Sequence, residues 1–334
     1  MKTIRWGIIG CGDVTEVKSG PGFAKARDSA LVAVMRRDGA LAADYARRHG
    51  VPRWHDDAEA ILRASDIDAV YVATTPETHC GYVLRCAAAG KPVLVEKPMA
   101  LDAAECDAMI AACAAAGVPL RVAYYRRALP RFVAVRDLVR SGAIGDVRMV
   151  TSRQFQPLRS KDESPPDGKP WRLDGSRSGG GLFVDMMSHT LDFLDDVFGP
   201  IEAVRAFAAN HGRAYGVEDV VAASWRFASG VLGSGAYCYA ADRNEEINEI
   251  VGAAGRIRFS TTRPVPIEVW RGERCETIDV GDPPHVHQPL IQTFVDELNG
   301  VGQCPSTGES AARTTRIVDA ILGEYRSAAG RGQA

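Results

Sequence analysis

The chain has 334 residues, of which 46% are hydrophobic and 25% charged, with a formal net charge of -2. This balance is typical of a folded protein with about two domains, and the lack of a polybasic or acidic run makes nucleic acid and membrane surfaces poor partners. The chain starts directly with a strand and contains no apolar run of membrane-spanning length, so we expect a cytoplasmic protein. The eight cysteines lie among apolar neighbours without a CxxC pair, and we interpret all of them as reduced, buried side chains.

Short apolar runs alternate with Ala-rich helical stretches in the first third of the sequence. The runs are TIRWGIIG, LVAVM, IDAVYVAT, PVLVE and PLRVAY, and stretches such as DAAECDAMIAACAAAG lie between them and end at glycine. Short strands divided by helices predict parallel βαβ units. We therefore expect an α/β fold in which residues 1–123 form an N-terminal Rossmann domain with a doubly wound parallel sheet.

The pattern changes in residues 124–334. We predict helices near 130–141, 185–198, 288–299 and 306–328, a polar loop over 157–181, and strands in AVRAFAA, DVVAASWRF, GVLGSGAYCY, INEIVGA, RIRFS and PIEVW. This order favours a C-terminal α+β domain with a large open, mainly antiparallel sheet that binds substrate, and the last helices are candidates to pack back on the Rossmann domain. An open sheet face needs a cover, so we expect a homo-oligomer, a dimer or a tetramer, formed through this sheet.

A glycine-rich motif, GIIGCGDVT, follows the first strand. Its glycines allow a tight turn and a close approach to a pyrophosphate, and the amides of the next helix point at the phosphate charge. Thr15 takes the place of the third glycine of the dinucleotide fingerprint, so the motif is weak alone and gains weight from its position after a strand. The predicted cofactor contacts are Gly10, Cys11, Gly12, Asp13 and Val14.

Ligands of an open parallel sheet bind beyond the carboxyl ends of its strands. The residues at the ends of the later strands are Arg36, Arg37, Thr74, Thr75, Pro76, Glu96 and Lys97, and we assign all of them to the cofactor site. Thr75 is a predicted helix N-cap, with Pro76 at the first helical position. Lys97 is the most informative, because a partly desolvated lysine at this edge can have its pKa lowered enough to exchange a proton with a substrate hydroxyl; the alternative is a surface lysine.

Arg36 and Arg37 stand close to where the fingerprint places an acid that binds the ribose. An arginine at this place suits a 2′-phosphate, so we expect NADP(H) to be preferred, with NAD(H) possible. One arginine would stack on the adenine while the other pairs with the phosphate. Asp38 is an alternative ribose partner, displaced by two residues.

Four motifs resemble the Gfo/Idh/MocA family of oxidoreductases, and the similarity covers nearly the whole chain. They are VATTPETH, AAAGKPVLVEKPMAL, SGAIGDV and SGGGLFVDMMSHTLDFL. The resemblance implies a Rossmann domain, a C-terminal domain with a large open sheet, and hydride exchange between NAD(P) and a hydroxyl or carbonyl carbon, usually of a sugar or cyclitol. It also implies that Lys97, Asp185 and His189 are catalytic and that His79 belongs to the cofactor segment.

Asp185 and His189 are four residues apart in a predicted helix and therefore share one face. His189 and Lys97 are the candidate proton carriers, and Asp185 would orient the substrate or tune the histidine. A helix-capping Asp with a core His is the alternative, and a metal site is disfavoured because no further ligand cluster is evident. We expect no metal.

Further candidates are less specific. Tyr124 and Arg126 follow the last Rossmann strand at the substrate edge, and Trp171 and Arg172 precede the glycine triplet where the family approaches the cofactor; packing aromatics and surface arginines are the alternatives. Lys18, near the pyrophosphate turn, is expected to be solvated.

The sequence thus predicts an NADP(H)-dependent oxidoreductase acting on CH–OH groups of a sugar, cyclitol or vicinal diol. The alternatives are a non-catalytic NADP-binding regulator and an NAD-dependent glycosidase of the same fold.

Overall fold

The structure is a computed structural model that describes residues 1–158 and 170–331. The chain divides into two compact units, the first made of Met1–Leu129 and Pro283–Ala312 and the second of Pro130–Asp282 and Arg313–Ala334. None of the described helices combines the length and the apolar character that crossing a bilayer requires.

Eleven α-helices lie within the described residues. They are α1 Asp13–Val17, α2 Gly20–Lys25, α3 Gly39–His49, α4 Glu59–Leu62, α5 His79–Ala88, α6 Ala103–Ala115, α7 Pro130–Arg140, α8 Gly175–Ser178, α9 Leu182–Phe198, α10 Gln288–Leu298 and α11 Gly308–Arg331. Short 3-10 helices cover Pro76–Thr78, Tyr125–Arg127 and Trp171–Leu173. The four helices predicted after residue 124 correspond to α7, α9, α10 and α11.

The first unit is built on a six-stranded sheet. Its strands are β1 Ile4–Ile9, β2 Ser29–Met35, β3 Arg53–His55, β4 Ala69–Val72, β5 Val93–Val95 and β6 Leu120–Val122, in the order β3-β2-β1-β4-β5-β6. Every strand pair is parallel, which confirms the predicted doubly wound Rossmann sheet. Only β3 was not predicted, because three partly polar residues carry no apolar run.

Helix α10 supplies part of the core of this unit although it lies far along the chain. The ring of Trp6 on β1 is 4.8 Å from that of Phe23 on α2 and 5.7 Å from that of Phe294 on α10. All three side chains are fully buried, and Leu290 and Ile291 join the same cluster. Burial of this apolar surface holds α10 against β1 and α2.

The second unit contains an eight-stranded sheet. Its strands are β7 Val147–Phe155, β8 Ile201–Ala209, β9 Val220–Phe227, β10 Leu232–Cys238, β11 Glu245–Gly252, β12 Arg256–Phe259, β13 Ile267–Arg271 and β14 Arg274–Ile278, in the order β14-β13-β12-β11-β7-β10-β9-β8. Only the β7–β10 pair is parallel, so the predicted mainly antiparallel sheet is confirmed. One face is buried and the other exposed: Val221, Ala223 and Trp225 of β9 point inward, and the residues between them are exposed.

Two expectations need correction. The loop predicted over 157–181 contains the 3-10 helix Trp171–Leu173 and α8, and its residues 159–169 lie outside the described part of the chain. All eight cysteines are free, but Cys80 and Cys238 are only half-buried and Cys275 is exposed, because β14 is an edge strand with solvent on most of its side chains.

Candidate active site

The turn after β1 has a shape that only glycine allows. Gly10 has a φ of +94°, and a Cβ there would lie 2.9 Å from the backbone nitrogen of Thr74. The amides of Gly10 and Cys11 donate to the carbonyl of Met35 at 2.8 and 3.1 Å, which ties the turn to the end of β2. At Gly12 a Cβ would meet no atom closer than 4.0 Å. The backbone at Gly12 therefore faces open space, as the approach of a pyrophosphate requires.

The residues that follow complete the turn. Asp13 and Val14 begin α1, where the first amides have no carbonyl partner inside the helix. Thr15 donates its hydroxyl to the carbonyl three residues earlier at 2.7 Å. Cys11, by contrast, is buried in the core and its amide is already bonded, so it supports the turn rather than offering a group to a cofactor.

Arg36 and Arg37 are exposed directly after β2. Arg36 Nη1 donates to the carbonyl oxygen of Cys11 at 3.4 Å, so its guanidinium lies beside the glycine turn. Asp38 has a structural role: its Oδ1 accepts two amides from the first turn of α3, at 3.0 and 3.1 Å. Two cations thus stand at the end of β2, next to a carboxylate that caps a helix.

Thr74, Thr75 and Pro76 follow β4. Thr75 is the N-cap of the 3-10 helix Pro76–Thr78, as predicted, with proline at the first position. Its hydroxyl donates to Glu77 Oε1 at 2.8 Å instead of capping the helix, and Thr74 Oγ1 accepts the Thr78 hydroxyl at 2.7 Å. The side chains of this loop therefore hydrogen-bond to one another and stabilise its conformation.

His79 is a buried residue that contacts two of the loops at this sheet edge. It is fully buried, with Nδ1 3.0 Å from the Pro98 carbonyl oxygen and Nε2 3.0 Å from that of Thr74. Burial lowers the pKa of His79, although the facing carbonyls oppose this. These contacts give His79 a structural role, in which it joins the loop after β4 to the loop after β5, and its cofactor contact stays a prediction.

Lys97 follows β5 and is half-buried, with a cis peptide bond to Pro98. Its neighbour Glu96 is buried. Glu96 Oε1 accepts the Tyr71 hydroxyl and lies 3.4 Å from His287 Nδ1, and Oε2 accepts the Lys97 amide at 3.1 Å. Burial raises the pKa of Glu96, while the Tyr71 hydroxyl and the Lys97 charge lower it. The Glu96 carboxylate thus points into the protein, and its cofactor contact stays a prediction.

His287 is a residue that the sequence analysis missed. It is buried at the N-cap of α10, and its ring stacks on that of Tyr125 at 4.3 Å. Burial and the charges of Lys18, Arg126 and Lys97 hold the pKa of His287 well below its usual value. Its imidazole is therefore neutral.

The two candidates after β6 differ. Tyr124 is buried in the core cluster beside Val95 and Val122, so packing explains it. Arg126 is buried with its guanidinium 4.9 Å from the centre of the Tyr125 ring. Lys18 is exposed, as expected, and its carbonyl accepts the His287 amide at 3.1 Å.

In the second unit, Asp185 and His189 lie one turn apart on α9, as predicted. Arg172 Nε donates to Asp185 Oδ2 at 3.0 Å, and the Arg172 guanidinium lies 4.2 Å from the centre of the Trp171 ring. Asp185 is half-buried and His189 is buried. The structure therefore joins three of the predicted residues, Trp171, Arg172 and Asp185, into one array.

The glycine triplet Gly179–Gly181 fixes the start of α9. A Cβ at Gly180 would lie 2.4 Å from Val184 Cγ2, and one at Gly181 would lie 2.6 Å from the Glu218 carbonyl oxygen. The Gly181 amide donates to Glu218 Oε1 at 2.7 Å. Glu218 was not predicted; burial raises its pKa to about 7.

Within residues 1–158 and 170–331, no three His, Cys, Asp or Glu side chains group as metal ligands. A parallel sheet in the Rossmann order, with an open glycine turn after β1 and cations after β2, defines a dinucleotide-binding protein of the α/β class.

Comparison with known proteins identifies the family. Residues 4–124 match the oxidoreductase family with an NAD-binding Rossmann fold, and residues 132–258 match the GFO/IDH/MocA C-terminal domain. Oxidoreductase P35 of Formosa agariphila is 36% identical over 320 residues, which are 96% of this chain and 98% of that protein. 1,5-Anhydro-D-fructose reductase of Ensifer adhaerens is 31% identical over 336 residues, covering 99% and 97%.

A solved structure agrees with these relatives. Aldose-aldose oxidoreductase from Caulobacter crescentus, complexed with glycerol, superposes with a TM-score of 0.85 at 26% identity and covers 98% of both chains. The chain belongs to the Gfo/Idh/MocA family of oxidoreductases. It is an NAD(P)-binding oxidoreductase that acts on CH–OH groups.

Proposed function

We propose that this protein is an NADP(H)-dependent oxidoreductase that exchanges a hydride with a secondary alcohol or carbonyl of a sugar, cyclitol or vicinal diol. The observation that carries the proposal is the position of Lys97 at the same sheet edge as the open glycine turn and the arginine pair. Activity on sugars is supported by the two relatives named for an anhydrofructose reductase and an aldose-aldose oxidoreductase.

The residues at this edge fit a dinucleotide. The open backbone at Gly12 and the first amides of α1 would hold the pyrophosphate. Arg36, beside the turn, and Arg37 would hold the 2′-phosphate that distinguishes NADP from NAD. Thr74, Thr75 and Pro76 would line the cofactor edge. When bound, the nicotinamide supplies the hydride acceptor or donor.

Protein side chains would transfer the proton that accompanies hydride exchange. Oxidation of an alcohol carbon requires that the hydroxyl proton leave, and reduction of a carbonyl requires that one arrive. Lys97 would carry this proton, and His189 is the second carrier. Asp185 would orient the substrate hydroxyls while Arg172 holds its carboxylate in one rotamer. Arg126 would add a substrate contact.

The cofactor preference is tested by titrating the protein with NADP(H) and NAD(H). We expect tighter binding of NADP(H), and Arg36→Ala and Arg37→Ala to weaken NADP(H) binding about tenfold or more while changing NAD(H) binding little. Glu59→Ala, on the surface of α4, is the control. Equal affinity for the two cofactors in the wild type would refute the preference for NADP.

The catalytic role is tested with Lys97→Met on a polyol and carbonyl panel. We expect a loss of turnover of about a hundredfold or more with retained cofactor binding, because a positioned proton carrier typically contributes this much. Lys2→Met, on the surface, is the control. Unchanged turnover in Lys97→Met would refute the role of Lys97. Tight cofactor binding with no turnover of any panel member would favour a regulator, and release of nitrophenol from a glycoside would favour a glycosidase.

We further propose that the exposed face of the eight-stranded sheet joins two copies of the chain. Phe207 on β8 is 82% exposed and pairs with Ala222 of β9, which pairs with Ala236 of β10. Leu232 and Met149 are exposed on the same face. Small side chains around a protruding phenylalanine suit close contact with a second sheet.

A further inference from the structure

The carboxylate of Glu96 is enclosed by hydrogen-bond donors from three parts of the first unit. Tyr71 on β4 donates its hydroxyl to Oε1, the Lys97 amide donates to Oε2, and His287 Nδ1 lies beside Oε1. Tyr71 and His287 are both buried. Burial raises the pKa of Glu96, and the hydrogen bonds from these donors oppose that rise.

His287 is held so that it faces Glu96. Its amide donates to the Lys18 carbonyl, its carbonyl accepts the Ile291 amide, and its ring stacks on Tyr125. Since the imidazole is neutral, it has one N–H, and the Nδ1–H tautomer directs that hydrogen at Glu96.

Other groups face this pair within the first unit. Glu96 is faced by Tyr71, Lys97 and Lys18, His287 by Lys18, Arg126 and Lys97, and Tyr71 by Ser19 and Tyr45. Glu96 is the one carboxylate among these groups. It is also covalently adjacent to Lys97 and accepts the Lys97 amide, so it fixes the backbone from which the Lys97 side chain extends.

We propose that Tyr71, Glu96 and His287 form a positioning network that fixes the Lys97 backbone and thereby the place of the Lys97 side chain. These three are positioning residues, because they act through Lys97. The inference rests on the proposed function, in which Lys97 is the proton carrier.

The test compares two substitutions of His287. Asn places an N–H near the position of Nδ1, whereas Leu places none. We expect His287→Leu to lower kcat about tenfold and His287→Asn to restore most of it, with NADP(H) binding unchanged in both. If His287→Leu keeps the wild-type kcat, if both variants lose the same activity, or if lost cofactor binding accounts for the loss, the network does not position Lys97.

The two proposals fail in different ways. Retained turnover in Lys97→Met refutes the proposed function. An inactive Lys97→Met together with equal kcat in His287→Leu and His287→Asn refutes the positioning network alone.

Discussion

Glu218 is a carboxyl group whose surroundings oppose its ionisation. It is buried where α9 begins, and although the Gly181 amide donates to it and Arg326 lies near, burial raises its pKa to about 7. The folded state therefore favours the protonated carboxyl relative to the unfolded chain. The stabilisation is complete below the ordinary pKa of a glutamate and is lost as the pH rises through about 7.

We expect Glu218→Gln to remove this dependence on pH. Glutamine keeps an oxygen for the Gly181 amide but has no charge to bury. The variant should equal the wild type near pH 4.5 and exceed its free energy of unfolding by up to about 3 kcal/mol at pH 8. Urea unfolding at both pH values measures the effect, and Glu273→Gln, on an exposed turn, is the control. Parallel pH profiles for the variant and the wild type would contradict the expectation.

Two helices of the first unit begin with an aspartate that accepts backbone amides. Asp38 caps α3, and Asp102 caps α6 by accepting the Glu105 amide at 2.9 Å. Glu105 in turn accepts the Leu101 amide at 3.0 Å. The reciprocal pattern is close to a capping box and fixes where α6 starts.

Replacing the cap of α6 has a defined cost. We expect Asp102→Ala to lower the free energy of unfolding by about 1 kcal/mol, because an amide loses its acceptor. Asp102→Asn keeps an oxygen at the same place and should lose only a fraction of this. Urea denaturation distinguishes them, and equal loss in both variants would show that the side-chain oxygen is not the cause.

The elements that escaped prediction have a common physical cause. The inward positions of β7 include Ser152 and Gln154, which are buried but polar, bonded to Asn248 at 2.7 Å and to the Tyr239 hydroxyl at 3.1 Å. An alternation of apolar and polar residues is therefore missing from β7. Strand β14 is exposed on nearly all positions and has no apolar face to detect.

Site residues on local motifs were predictable, and residues joined by long-range contacts were not. The glycine turn, Lys97 and the i, i+4 pair on α9 are visible in short stretches of sequence. The contact between Glu96 and His287 joins segments that are far apart in the chain, so no spacing rule reveals it. The same reasoning applies to Glu96 and His79: their positions in the chain predict cofactor contacts, and only the structure shows that both side chains are buried.

The exposed face of the eight-stranded sheet is the surface that we propose joins two copies of the chain. Phe207→Asp places a charge where a large apolar side chain is 82% exposed. We expect it to shift the protein from dimer toward monomer in sedimentation velocity, with little change in unfolding. Val301→Asp, at a position 53% exposed in the first unit, is the control. A wild-type protein that sediments as a monomer, or a Phe207→Asp variant that stays associated, would contradict the proposed interface.

The first unit is assembled from two stretches that are far apart in the chain, Met1–Leu129 and Pro283–Ala312. During synthesis the ribosome releases Trp6 of β1 and Phe23 of α2 long before it makes Phe294, which packs on Trp6. Until then this apolar surface has no native cover from α10. A fragment that ends at Leu129 lacks α10, so this apolar surface stays exposed and we expect the fragment to aggregate. A fragment in which Pro283–Ala312 is joined to Met1–Leu129 contains the residues that bury this surface.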